Sequence, residues 1–142
     1  MTLEALHTPT ALTFTHRALY DNAPEIMVEI AATSPGGVLR GRPIETLMVM
    51  DSGADYSMID DSYASHLGID LGQCPVRRVR GITGVGEARL SRLNIYVCGS
   101  WFEVPVLFAP DRWPQLLGRS GVFDNLFVAF VHGARTLFAS EV

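Results

Sequence analysis

The chain has 142 residues, of which 48% are apolar and 18% charged, with a formal net charge of −4. That length supports one hydrophobic core rather than two, so a single domain over residues 1–142 is expected. The composition excludes a disordered chain, and no apolar run approaches the ~18 residues of a membrane-spanning helix.

At the N-terminus, Glu4 lies where a secretory leader would carry positive charge. Export is therefore not expected, and a cytoplasmic location is. "ALTFTHRALY" (11–20) and "EIMVEIAA" (25–32) have strand composition, and Ile26, Val28 and Ile30 alternate along the second. "SPGG" (34–37) signals a turn, and "IETLMVM" (44–50) is nearly continuous in apolar residues, as in a strand buried on both faces. "DDSYASHLG" (60–68) reads as one or two helical turns, with Asp60 or Asp61 as cap and Gly68 as stop.

The one basic cluster, "VRRVRG" (76–81), sits among valines and reads as a solvated strand face, so no nucleic-acid partner is expected, and without a long apolar run no membrane partner is either. Residues 77–97 read as two strands joined by a loop that holds Gly81, Gly84 and Gly86. "WFEVPVLFA" (101–109) is a further strand, residues 114–126 suit a short helix, and 127–139 suit a hairpin turning at His132-Gly133. Cys74 and Cys98 form no CxxC pair and read most simply as reduced thiols, a single disulfide remaining open. The four histidines, His7, His16, His66 and His132, are scattered without a second ligand at metal spacing. No metal site and no cofactor are expected.

"ETLMVMDSGADYSMID" (45–60) carries the chemistry. An apolar strand runs into Asp51, and an ionised carboxylate is costly to bury unless partners are supplied. Taken alone, Asp-Ser-Gly is an ordinary turn. One carboxylate is also a mediocre catalyst near neutral pH. Two held close together share a proton, so one can take a proton from water while the other protonates an amide carbonyl oxygen.

The context of Asp51 decides between these readings. Leu47-Met48-Val49-Met50-Asp51-Ser52-Gly53-Ala54-Asp55, followed some sixty residues later by Leu116-Leu117-Gly118-Arg119, resembles the retroviral-type (retropepsin-like) aspartic proteases. The likeness runs in order over residues 25–139. It implies an all-β fold, a closed antiparallel β-barrel of the acid-protease type with one or two short helices, forming a homodimer. Carried over by position, Asp51 would be the catalytic acid, and Ser52 the hydroxyl that locks the loop to its copy. Gly53 would let the substrate backbone approach, and Asp55 and Arg119 would form an ion pair. Leu117 and Gly118 would support the loop from beneath. Ala54 lacks the hydroxyl a serine would offer there, which implies activity extending toward mildly acidic or neutral pH. Gly81, Ile82, Thr83 and Gly84 would belong to a mobile flap over the cleft.

Only one Asp-Ser/Thr-Gly is present, so the second acid must come from a second copy across a twofold axis. The expected activity is therefore that of an aspartic endopeptidase acting on a peptide or protein substrate with no metal. The alternatives are a catalytically silent domain used for dimerisation or peptide binding, and, further off, a serine hydrolase using Ser52. The latter lacks a GxSxG elbow and an evident His partner.

Overall fold

The computed structural model describes residues 13–34, 38–81, 84–110, 113–131 and 133–139. The strands β1 (His16–Leu19), β2 (Glu25–Thr33) and β3 (Leu39–Met50) are followed by β4 (Ser57–Asp60) and the single-turn helix α1 (Tyr63–His66). Then come β5 (Val76–Gly81), β6 (Gly84–Val97), β7 (Ser100–Ala109), β8 (Leu116–Leu117), β9 (Phe127–Val131) and β10 (Arg135–Ala139). The all-β reading holds, and nearly every strand falls where its composition places it. The last three residues of the expected "SPGG" turn (35–37), the first two residues of the expected 11–20 strand and the turn residue His132 lie outside the described residues.

Period-two alternation builds the core. In β2, Val28 and Ile30 point inward and are buried, while Met27 on the other face is exposed. β2 pairs antiparallel with β3, and β6 with β7, whose inward residues Leu93, Ile95, Val104, Val106 and Phe108 complete the same core. Helix α1 ends as expected at Gly68, with φ +70°. Its cap differs: Ser62 is the cap residue, and Asp60 Oδ1 instead accepts the Ser62 N–H at 2.8 Å, holding the chain as it enters the helix.

The larger sheet has the order β2-β3-β8-β4-β7-β6-β5, and the smaller has β1-β10-β9. Two features depart from the expected closed antiparallel barrel. β8 runs parallel to β3, Leu116-Leu117 being threaded between β3 and β4, and β4 runs parallel to β7. The large sheet curls rather than closing as a simple barrel: β2 reaches β6 through only four residue pairs, Glu29↔Tyr96 to Ala32↔Leu93, and β5 remains outside as an edge.

The expectation that β3 is buried on both faces is overturned. Thr46, Met48 and Met50 are buried, whereas Leu47 between them is 48% exposed. Among the described residues the strand has a buried face and a more open one, the latter carrying Glu45, Leu47 and Val49.

Candidate active site

β3 delivers Asp51 to the end of the sheet by its backbone. Val49 N–H donates to the Gln115 carbonyl, Met50 N–H to the Pro24 carbonyl and Asp51 N–H to the Leu117 carbonyl, each at 2.9 Å. The chain then turns at once: Asp51 Oδ1 accepts the Gly53 N–H at 2.9 Å, and the Asp51 carbonyl accepts the Ala54 N–H at 3.3 Å. Asp51 is half-buried, while Ser52 and Gly53 are exposed. A Cβ on Gly53 would lie 3.1 Å from Asp51 Oδ1, so glycine keeps the space beside the carboxylate open. Among the described residues no cation pairs with Asp51.

The second predicted element meets this turn from beneath. Arg119 N–H donates to the Ala54 carbonyl at 2.8 Å, and Ser120 N–H to the Asp55 carbonyl at 2.9 Å. The Arg119 guanidinium forms an ion pair with Asp55 at the exposed rim. Leu117 is fully buried, and Gly118 lies under the backbone of the turn, where its N–H donates to the buried Ser57 hydroxyl at 3.0 Å. Asp51, Ser52, Gly53, Ala54, Asp55, Leu117, Gly118 and Arg119, up to 68 positions apart in the chain (Arg119 against Asp51), thus form one construction. The chain beyond Gly118 is a helical turn, Arg119–Phe123, broken at Ser120 and at Gly121, which has φ +80°.

Of the four residues expected in the flap, Gly81 and Gly84 form the closing pair of the β5–β6 hairpin. Ile82 and Thr83 lie outside the described residues.

Three residues that sequence reading passed over support the site. Ser57 supplies the hydroxyl under Gly118. Gln115 ties three elements together: its amide donates to Thr46 Oγ1 at 2.9 Å and to the Leu47 carbonyl at 2.8 Å, and its Oε1 accepts the Asp60 N–H at 3.1 Å. Trp113 is 8% exposed and packs in a second apolar cluster with Met58, Ala88, Leu107 and Ala109. The one sequence signal for the first two was their place, a polar residue just after the Asp-Ser-Gly-Ala turn and another just before Leu-Leu-Gly-Arg.

Asp51 thus stands at the end of β3, in a turn underpinned by an apolar-apolar-Gly-Arg element. The aspartyl protease family model matches residues 36–124, a span that contains both halves of the construction. The chain belongs to that family, which is of the retropepsin-like type. Membership supports a hydrolytic, aspartic-protease function in general terms. No curated protein matches the chain. Among the described residues no helix is long and apolar enough to cross a membrane, and both cysteines are free.

Proposed function

We propose that this chain is a homodimeric aspartic endopeptidase whose site is completed when the Asp51 turns of two copies meet across a twofold axis. The observation that carries the reading is the placement of Asp51, with its amide bonded to the Leu117 carbonyl and its carboxylate beside an open glycine. Of the two Asp51 carboxyls, the ionised one takes a proton from water, and the resulting nucleophile attacks the scissile carbonyl carbon. The protonated one gives its proton to the carbonyl oxygen. In the collapse of the diol, the carboxyl that took the proton from water gives it to the nitrogen, the other carboxylate takes a diol hydroxyl proton, and the C–N bond breaks to leave a carboxylic acid and an amine. Ser52 fastens each turn to its copy. The substrate is an extended peptide bonded as an added strand beneath the β5–β6 flap formed by Gly81, Ile82, Thr83 and Gly84. No metal or cofactor takes part, and the two free thiols suit a cytoplasmic protein.

Support for a second copy comes from the small sheet. Among the described residues β9 pairs with β10 on one side only. Its five residues are all apolar and none is buried, Phe127 and Phe130 being 47% and 45% exposed. A free, apolar strand edge of this kind invites pairing with another strand, and twofold pairing of two β9 edges would make one continuous sheet.

The test is cleavage of a peptide library by the full chain and by Asp51→Asn, with sizing of both. Cleavage that is lost in the variant while the dimer persists, and that is blocked by a statine-type inhibitor but not by a serine-reactive one, supports the reading. A strictly monomeric active protein, or full activity in Asp51→Asn, overturns it.

A further inference from the structure

The β5–β6 hairpin carries three glycines for different physical reasons. Gly84 has φ +121°, a conformation that side chains rarely adopt, and a Cβ there would meet nothing within 4 Å. Gly81 and Gly86 are not at positive φ. What they share is a neighbour. A Cβ on Gly81 would stand 2.6 Å from Trp113 Cζ3, and one on Gly86 would stand 3.0 Å from Trp113 Cζ2. Gly81 pairs with Gly84, and Val79 with Gly86, so positions 79, 81 and 86 share one face of the hairpin. The Trp113 ring lies against that face, so close that neither glycine has room for a Cβ without the ring shifting.

Trp113 belongs to the other side of the contact. Its ring clusters with Met58 of β4 and Leu107 of β7, and Leu116 of β8 packs against the same cluster. Two residues after Trp113, Gln115 is bonded to Thr46 and Asp60, and two further on, the Leu117 carbonyl accepts the Asp51 N–H. A single short segment therefore holds both the hairpin and the Asp51 turn. Among the described residues β5 is an edge strand bonded only to β6, and a two-stranded ribbon holds its place poorly without packing. Tryptophan brings a large rigid area with few torsions to fix.

We propose that Trp113 is the positioning residue of the flap: its indole, seated against Gly81 and Gly86, sets the hairpin over the Asp51 turn and thereby governs binding of an extended peptide. The inference rests on the peptidase reading for its substrate. Trp113 touches no reacting atom, so its effect falls on KM rather than kcat.

The experiment is a double-mutant cycle on the full chain, read by hydrogen exchange and by peptide cleavage. Gly81→Ala adds one methyl against the ring at a backbone that would otherwise accept alanine. Trp113→Leu removes the ring while keeping an apolar side chain in the cluster, and Trp113→Phe keeps a smaller ring. With Trp113 present, Gly81→Ala is expected to speed exchange of the β5–β6 amides about tenfold; in the Trp113→Leu background, the added methyl is expected to make no difference. For cleavage, Gly81→Ala and Trp113→Leu are expected to raise KM about tenfold with kcat held within about twofold, and Trp113→Phe to recover most of the loss. Parental exchange in Gly81→Ala, equal acceleration in both backgrounds, or a fall in kcat at constant KM each overturns the inference. Should the cycle run as expected in exchange while even the parent cleaves no peptide, the seating of the flap stands and the peptidase reading falls.

Discussion

Gly118 lies against the backbone of Tyr56 so closely that a Cβ built on it would come 2.5 Å from the Tyr56 carbonyl oxygen and 2.8 Å from that of Ala54. Its φ and ψ, −98° and −171°, are extended values open to any residue, so glycine is required by space and not by conformation. Both obstructing atoms are backbone of the turn that carries Asp51, so a side chain here displaces the turn itself.

Gly118→Ala is therefore expected to cost about 3 kcal/mol of stability, at the upper end of overpacking effects, and to lower activity further than that loss of folded protein explains. Urea unfolding gives the first quantity, and kcat/KM per folded molecule the second. A variant as stable and as active as the parent would remove the close approach as an explanation for this glycine.

The ion pair between Asp55 and Arg119 joins the same two segments, yet it is expected to matter less. Their side chains are 74% and 52% exposed, and solvent-exposed pairs contribute about 0–1 kcal/mol. Beneath the pair, the Arg119 and Ser120 amides donate to the Ala54 and Asp55 carbonyls whatever the side chains are. Asp55→Asn and Arg119→Met should each lower stability by less than about 1 kcal/mol, and the difference from the parent should shrink further in salt. A loss of several kcal/mol would show that the pair carries the junction.

Ser57 is the opposite case. It is fully buried, and its hydroxyl is the partner of the Gly118 amide at 3.0 Å. Ser57→Ala leaves that amide without an acceptor in a dry setting, and orphaning a buried donor costs about 1–3 kcal/mol. The expected result is a lower midpoint in urea with an unchanged m-value. Ser57→Thr, which keeps the hydroxyl, should recover part of the loss if its methyl is accommodated.

These contrasts mark what could be read before the fold was known. The Asp51 turn and the Leu-Leu-Gly-Arg element were legible because each is a contiguous pattern whose chemistry is local: apolar strand, acid, small residue, basic residue. Ser57, Gln115 and Trp113 were not, because their roles depend on partners far away in sequence. Ser57 meets Gly118, Gln115 meets Thr46 and Asp60, and Trp113 meets Gly81 and Gly86. Nothing in a serine, a glutamine or a tryptophan announces such a partner. The outer face of β3 misled for a related reason. Leu47 and Val49 make the strand look buried on both sides, and only the exposure of Leu47 among the described residues shows a more open face. The same gap applies to the parallel placement of β8, since a two-residue strand has no periodicity to read.

Cys98 gives a prediction in alkaline solution. With Gly99 it makes the two-residue turn between β6 and β7, and both sit at positive φ, +55° and +77°, as tight hairpins prefer. Cysteine is an unusual choice there; its Sγ lies 3.3 Å from His16 Nδ1 on β1. Burial pushes the Cys98 thiol above its ordinary value of 9.0. The folded chain therefore keeps this proton in a range where the unfolded chain has released it, and in that range stability falls as pH rises. The contribution is intact below the ordinary value and is lost as pH climbs through it toward the raised one. Cys98→Asn removes the titrating group and supplies a residue that tolerates positive φ. Urea midpoints followed from neutral pH into the alkaline range should decline less steeply for the variant than for the parent. Parallel curves would mean that the thiol is free to ionise in the folded chain.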